Sequence, residues 1–190
     1  LRRGAATVSC VAGTAIRDAD PYRDAAQARD LAASAKEREE HAIVVRAARA
    51  ALTPLCEAVS GSDRARPVAR GNVWHLASEV RGRARPGVDL FDLAAAVHPT
   101  PAVCGHPRAD ALRIIEAREP FERGWYAGAL GWVDARGEGE LVVALRSALL
   151  VRDEAWLFAG CGIVAASDPE AELAESEAKL RPMLEALGAA

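Results

Sequence analysis

The chain has 190 residues, of which 51% are hydrophobic and 27% charged, and its formal net charge at pH 7 is −3. This length and composition indicate a globular chain that forms one domain or most of one, and they exclude a disordered or collagen-like protein. The small net charge and scattered basic residues argue against nucleic acid or an anionic membrane as a partner, and no apolar run is long enough for a transmembrane helix. The first residues include neither Met nor an apolar signal segment, so we expect an internal piece of a longer protein.

Cysteines and lysines are few in this chain. The four cysteines are scattered and form no Cys-x-x-Cys pair, which argues against a disulfide framework and predicts a reducing compartment, the cytoplasm. Of the 24 basic residues only Lys36 and Lys179 are lysines. Because lysine is so rare in this chain, each of the two lysines is a candidate for a specific role.

The first half of the chain predicts a strand, a long helical region and a second strand. Residues 6–12 predict a strand that ends in a turn at Gly13 and Thr14, and residues 18–21 predict a loop. Residues 22–59 lack glycine and predict one long helix or two abutting helices. The second part of that region carries a candidate packing face of Ile43, Val44, Ala47, Ala51 and Leu52.

The middle of the chain alternates turn-rich and regular segments. Residues 61–71 are polar and predict a mobile connection, residues 72–81 a strand and residues 88–97 a short helix. Three prolines between positions 98 and 107 argue against a helix there and predict an ordered loop or a disordered spacer. A helix is predicted over residues 108–118, with Ala111, Ile114 and Ile115 facing inward.

The last third of the chain predicts strands joined by hairpins and a final helix. The strand-like runs cover residues 127–133, 140–150 and 155–164, and the helix covers residues 169–187. Hairpin-connected strands with segregated helices indicate an α+β fold, with antiparallel β-sheets and helices packed outside.

Several residues could carry chemistry, each with a structural alternative. In the last helix Glu172, Glu175 and Lys179 share one face, which is either a solvated face with an ion pair or two carboxylates for a hard cation beside an ammonium for an anion. Residues 160–162, Gly-Cys-Gly, precede a helix start and suit an anion. Arg146 lies in an apolar run and must find an anionic partner, either a carboxylate or a ligand.

Two further groups remain open on the residues alone. The run from Glu37 to His41 is typical of a solvated helix face, and His41 is more often structural than a ligand. Alternation along a strand places His75 opposite its neighbours Trp74 and Leu76, so His75 faces either a site or solvent.

Short motifs spread over residues 8–185 together resemble the chorismate-utilising enzymes, and within that family the isochorismate synthases. Residues 99–102, Pro-Thr-Pro-Ala, and residues 74–76, Trp-His-Leu, are the features most similar to that subfamily. The other motifs are Val-Ala-Gly-Thr at 11–14, Ser-Ala-Lys-Glu-Arg-Glu-Glu-His at 34–41, Gly-His-Pro at 105–107, Glu-Pro-Phe-Glu-Arg-Gly-Trp-Tyr-Ala-Gly at 119–128, Gly-Trp at 131–132, Arg146, and Ala-Gly-Cys-Gly-Ile-Val at 159–164 continuing through Ser-Asp-Pro at 167–169 to Glu172, Glu175 and Lys179.

The resemblance implies a chorismate substrate, an Mg²⁺ cofactor and a set of site residues. Glu40 and Glu175 match metal-binding glutamates, and Glu172 matches one that acts through a water. The implied substrate-binding residues are Tyr126, Arg146, Gly160, Gly162 and Lys179 around the anionic groups, and Gly13, Thr14, His75 and Ala102 around the ring.

The chain also departs from the family pattern. Cys161 replaces an alanine, and the family's general-base lysine and general-acid glutamate lie upstream of residues 12–14, so residues 1–190 are expected to form only the C-terminal portion of the chorismate-binding domain. The N-terminal half is then a partner. Anthranilate, aminodeoxychorismate and salicylate synthases, or a non-catalytic chorismate-binding remnant, stay open as alternatives, and the product could serve siderophore or menaquinone biosynthesis.

Overall fold

The computed structural model describes residues 1–61 and 64–189. Its strands are β1 (Ala5–Ile16), β2 (Cys56–Gly61), β3 (Arg66–Arg70), β4 (Val73–Ala84), β5 (Ala129–Val133), β6 (Gly139–Val143), β7 (Ser147–Val151) and β8 (Glu154–Phe158). Its helices are α1 (Pro21–Ala33), α2 (Ala35–Leu52), α3 (Leu90–Val97), α4 (Pro101–Cys104), α5 (Arg108–Arg118) and α6 (Pro169–Ala186). The α+β class with antiparallel sheets is confirmed.

The largest sheet is organised around β4, which pairs antiparallel with β1, β2 and β3. The prediction that β1 ends in a turn at Gly13 is wrong, because the strand continues to Ile16. A register shift between Ala12 and Thr14 absorbs Gly13, whose φ of +78° suits glycine. This bulge re-aims the end of β1 toward the cavity described below.

Two separate hairpins, β5–β6 and β7–β8, follow the helices. The predicted single strand over residues 140–150 is wrong: it divides into β6 and β7 at the segment that contains Arg146. Arg146 has a φ of +49°, which no extended strand accommodates, so the chain turns there. Ala127 also has a positive φ, and β5 accordingly starts later than predicted, at Ala129.

The core lies between α2 and the β1–β4 pair. The predicted packing face of α2 is partly wrong: Val44 and Leu52 are buried, but Ile43, Ala47 and Ala51 are only half-buried. The buried stripe is completed instead by His41, Val45 and Ala48. The packing face is therefore rotated toward the side of the helix that faces Cys10 and Val80.

The long helical region divides at Ser34. The Ser34 side chain accepts a hydrogen bond from the backbone N–H of Glu37 and caps α2. Helix α2 ends before Pro54, and Val59 lies in β2, so the predicted helical region is too long. The connection predicted over residues 61–71 contains β3, which corrects that prediction, and residues 62–63 lie outside the described residues.

The later helices mostly follow the predicted bounds. The proline-rich segment contains the one-turn helix α4, contrary to prediction, because Pro101 occupies the first turn, where no backbone N–H is needed. In α5, Ala111 and Ile115 are half-buried, but Ile114 is 62% exposed, so its predicted inward orientation is wrong. Asp168 caps α6 by accepting from the N–H of Ala171.

Candidate active site

A cavity of about 320 Å³ opens between the end of β1, the start of α2, helix α4, the segment around Tyr126 and helix α6. Every residue that the sequence predicted for a site lies on its wall. These residues are Gly13, Thr14, Glu40, His75, Ala102, Tyr126, Arg146, Gly160, Gly162, Glu172, Glu175 and Lys179. The fold therefore gathers them in one place, while their individual roles stay predictions.

One end of the cavity is acidic. Helix α2 contributes Glu37 and Glu40, and helix α6 contributes Glu172 and Glu175. Each pair is spaced three residues apart, which places both carboxylates of a pair on the same helix face. The solvated-face alternative is thus wrong for Glu37 and Glu40.

Two lysines hold part of this acidic cluster. Lys36 Nζ lies 3.1 Å from Glu172 Oε1 and joins α2 to α6. Lys179 Nζ donates to Glu175 Oε1 at 2.6 Å and to the carbonyl oxygen of Gly160 at 3.0 Å. The predicted Glu175–Lys179 pair is confirmed, and here it forms part of the cavity wall rather than of a solvated surface.

Glu37 and Glu40 lack such a lysine contact at hydrogen-bond distance in the described chain. Burial raises the pKa of Glu40, and the nearby charges of Glu37 and Glu175 raise it further. Burial likewise raises the pKa of Glu37, although Glu37 accepts a hydrogen bond from the Thr14 N–H at 3.2 Å. Burial and the neighbouring carboxylates thus both oppose ionisation of Glu40.

Glu172 behaves differently from Glu37 and Glu40. Burial alone would raise its pKa, but hydrogen bonds from Ser167 and Lys36 outweigh that effect and hold the pKa below its usual range. The Lys36 contact and the Ser167 hydrogen bond therefore both favour the charged form of Glu172.

The donor set at the acidic end fits a hard cation in chemistry, because carboxylate oxygens are the ligands that Mg²⁺ prefers. Within residues 1–61 and 64–189, however, no three His, Cys, Asp or Glu side chains are grouped closely enough to hold a metal ion. Glu172 and Glu175 each place a carboxylate oxygen against a lysine ammonium.

Another part of the cavity wall carries hydrogen-bond donors around His75. His75 Nδ1 lies 3.0 Å from the carbonyl oxygen of Gly13, which can only accept, so Nδ1 carries the proton. Nε2 then accepts from Arg146 Nη2 at 2.6 Å. Burial lowers the pKa of His75, and the Arg146 charge lowers it further, so the ring is neutral at pH 7.

Tyr126 is fixed by aromatic and cationic neighbours. Its ring stacks on Phe158 with centroids 5.5 Å apart, and the Arg123 guanidinium lies 5.6 Å from the Tyr126 ring centroid. Arg123 in turn pairs with Glu119 and donates to the carbonyl oxygen of Val103 at 2.7 Å. This network connects the α4 segment to the aromatic wall of the cavity.

The sequence reasoning did not assign Lys36, Glu37, Glu119 or Arg123 to the site. Glu37 could have been found, because it lies one helical turn before Glu40. The prediction that His41 is structural is confirmed. Its side chain is buried in the core, and its Nε2 lies 2.8 Å from Ser78 Oγ.

The chain belongs to the chorismate-binding enzymes: the family profile described as "Chorismate binding enzyme" matches residues 1–188. Isochorismate synthase DhbC of Bacillus subtilis is 43% identical over 94% of this chain and 45% of the relative. A putative isochorismate synthase, MenF, of Mycobacterium tuberculosis is 48% identical over 93% of this chain and 48% of the relative.

Solved structures agree with these relatives. A crystal structure of the putative 2,3-dihydroxybenzoate-specific isochorismate synthase DhbC from Bacillus anthracis superposes with a TM-score of 0.96 at 41% identity, over 100% of this chain and 51% of that chain. Anthranilate synthase component I from Streptococcus pneumoniae gives a TM-score of 0.83 at 31% identity, over 96% of this chain and 40% of that chain. The chain spans less than half the length of the two curated relatives above.

Proposed function

We propose that this chain forms the chorismate- and Mg²⁺-binding portion of an isochorismate synthase. The observation that carries the proposal is the cavity whose wall combines four carboxylates with Arg146 and neutral His75. Relatives named isochorismate synthases at 43% and 48% identity support this member of the family. The 190 residues are proposed to act as one C-terminal portion of the domain, in the cytoplasm, completed by the rest of the enzyme.

The proposed reaction exchanges one hydroxyl group for another on a cyclohexadiene ring. The oxygen of a water forms a bond to C2 of chorismate and loses a proton to a base. The double bonds shift, the C4–O bond breaks, and the C4 hydroxyl takes up a proton from an acid and leaves as water. The overall change is an isomerisation, and it consumes no oxidant or reductant.

This chain is proposed to bind and orient the substrate. Arg146 presents a guanidinium that can form two parallel hydrogen bonds with a carboxylate. The amides of Gly160 and Gly162 and the Tyr126 hydroxyl, which line the cavity, are proposed to bind the enolpyruvyl carboxylate, with Lys179 supplying a nearby positive charge. Neutral His75, with Gly13, Thr14 and Ala102, is proposed to line the ring.

Glu40 and Glu175 are proposed to hold Mg²⁺, with Glu172 acting through a water. Bound Mg²⁺ would neutralise the ring carboxylate and polarise the substrate toward loss of the C4 hydroxyl. Glu40 supports this assignment because it is buried beside Glu37 and Glu175, so that a bound cation would stabilise its charged form. The proton-transferring lysine and glutamate are proposed to lie in the remainder of the enzyme.

The test is a product assay on this chain joined to, or mixed with, the remaining portion of a relative. Isochorismate should form from chorismate in the presence of Mg²⁺ and in the absence of ammonia or glutamine. Formation of anthranilate or aminodeoxychorismate when ammonia is added, or release of pyruvate with salicylate, would assign the chain to another chorismate-utilising enzyme. The relatives of 43% and 48% identity, which are named isochorismate synthases, favour the isochorismate product.

A non-catalytic chorismate-binding protein is the second candidate. It shares the same cavity with the first candidate and differs from it only in lacking turnover. Saturable chorismate binding with no product in the joined protein would select it.

A further inference from the structure

Lys36 occupies a position that helix energetics disfavour. It is the second residue of α2, where the positive end of the helix dipole repels a cation. Its position is therefore not explained by the stability of α2, and a tertiary contact must account for it.

That contact is Glu172 on α6, 136 residues away in the chain, at 3.1 Å. The Glu172 side chain is 9% exposed and the Lys36 side chain 37% exposed, so the carboxylate is buried and the ammonium approaches it from the rim of the cavity. Lys36 Nζ also lies 3.9 Å from Glu37 Oε1. The Lys36 ammonium thus lies near two of the four carboxylates, those of Glu172 and Glu37.

We propose that Lys36 is an internal counter-cation that competes with the divalent cation for Glu172. In the lysine-paired arrangement the described residues group no three acidic ligands for a metal. When Mg²⁺ enters, its charge replaces that of the ammonium next to Glu172, and Lys36 moves toward solvent at the rim. This inference rests on the proposed Mg²⁺ site and adds to it a residue that sets the affinity of that site.

The same contact holds α6 in place before the cation arrives. The other polar anchors of α6 are few in the described chain and include Asn72 Nδ2, which donates to the Ala178 carbonyl oxygen at 2.7 Å, and Cys161 Sγ, which lies 3.5 Å from the Glu172 carbonyl oxygen. Without Lys36, Lys179 would be the one lysine left in hydrogen-bond contact with the four acids within the described residues. Lys36 therefore stabilises the metal-free chain while weakening metal binding.

The first test is calorimetric titration of Mg²⁺ alone into the 190-residue chain. Lys36→Met should tighten Mg²⁺ binding by about tenfold, because it removes a positive charge beside the cation. Lys36→Arg, which keeps the charge, should stay within about twofold of the unchanged chain. Arg46→Met, which removes a cation from the exposed Arg46–Glu39 pair on the same helix, should have no effect.

The second test uses a substitution only to assign a signal. Reductive ¹³C-methylation keeps the lysine charge and labels Lys36, Lys179 and the N-terminus, and the signal missing in Lys36→Arg identifies Lys36. Mg²⁺ at saturating concentration should shift the Lys36 signal toward that of a solvent-exposed lysine.

The outcomes separate this inference from the proposed function. If Mg²⁺ binds but Lys36→Met leaves its affinity unchanged or weaker, or the Lys36 signal does not move, the competition is wrong and the metal site stands. If neither the unchanged chain nor Lys36→Met binds Mg²⁺, both are wrong. Binding that appears only in Lys36→Met supports the competition in its strongest form.

Discussion

Gly162 lies directly against the carboxylate of Glu40: a Cβ atom at position 162 would be 2.7 Å from Glu40 Oε1. This distance is shorter than real Cβ contacts allow, so any side chain at position 162 displaces the carboxylate. Because Gly162 has no side chain, the Glu40 carboxylate on α2 can lie directly beside it.

Gly162→Ala should therefore shift Glu40 at little cost to the fold. The atom in the way is the end of a flexible side chain, so we expect the free energy of unfolding to change by less than about 1 kcal/mol. Mg²⁺ affinity should fall by about tenfold, measured by calorimetry. Gly160→Ala is the matched control, because a Cβ there would approach the Tyr126 hydroxyl, at 3.2 Å, and not Glu40. Equal Mg²⁺ affinities in the two variants would contradict the placement of Glu40 at the metal.

Glu40 and Glu175 should be required together for Mg²⁺ binding. A hard cation needs carboxylates from both helices, and one alone leaves it mostly hydrated. Either Glu40→Gln or Glu175→Gln should weaken Mg²⁺ binding at least about tenfold in this chain and abolish turnover in the complete enzyme. Glu177→Gln, an exposed acid on the same helix as Glu175, is the control and should retain Mg²⁺ affinity. Near-normal turnover of Glu175→Gln at low Mg²⁺ would show that the metal lies elsewhere.

The residue types of the acidic end could be predicted from the sequence, but their partners could not. The spacing of Glu172 and Glu175 gives the same helix face from local geometry alone. Lys36 and Glu172 are 136 residues apart in the sequence, and they pair only because the fold brings α2 and α6 together. No local sequence pattern predicts such a long-range contact. Family resemblance placed Glu40 in the site, whereas its charge run by itself predicted a solvated face.

Arg146 lines the cavity, although the continuous strand predicted around it is wrong. An apolar run from 141 to 150 predicted one continuous strand, and Arg146 within it required an anion. The structure instead turns at Arg146, where a positive φ divides β6 from β7. Hydrophobic alternation does not report a single left-handed residue, because the residues on both sides still have strand character. Arg146 nevertheless faces the cavity.

Arg146→Lys should weaken chorismate binding while preserving charge. Lysine cannot form the planar pair of hydrogen bonds, so we expect the KM for chorismate in the complete enzyme to rise by about tenfold. Arg152→Lys is a close control: Arg152 also has a positive φ, in the exposed turn between β7 and β8. An unchanged KM for Arg146→Lys would mean that its contact with His75 is purely structural.

The stability of the chain should fall as the pH drops below about 6.5, partly because of His41. Burial lowers the pKa of His41, so the unfolded chain binds its proton at a pH where the folded chain does not. The stability contribution is present above the unfolded pKa and is lost as the pH falls toward the folded pKa. The slope contributed by His41 is at most about 1.4 kcal/mol per pH unit.

Urea unfolding between pH 7.5 and 5.5 measures this slope directly. His41→Gln should flatten the pH dependence even where it lowers stability at every pH, since Gln does not titrate. His106→Gln, at an exposed position, should reproduce the original slope. A His41→Gln slope equal to that of the unchanged chain would show that protonation of this buried ring is not what destabilises the fold.

The 190 residues alone should not convert chorismate at an enzymatic rate. Positioned acid and base groups contribute about 10²–10⁴-fold each, and the family's two such groups are expected outside this chain. The exposed hairpin β5–β6 supports the same expectation, because Leu130 is 65% and Trp132 50% exposed, which is typical of a surface covered by other chain.

Complementation tests this expectation. The chain should bind chorismate but form isochorismate only after mixing with the portion of DhbC from Bacillus subtilis that it does not span. Leu130→Glu should block this recovery without weakening chorismate binding, because it charges the exposed hairpin and leaves the cavity intact. Tyr22→Glu, at an exposed aromatic on α1, should permit full recovery. Robust turnover by the chain alone would overturn the expectation, since it would require a proton-transferring pair within these residues.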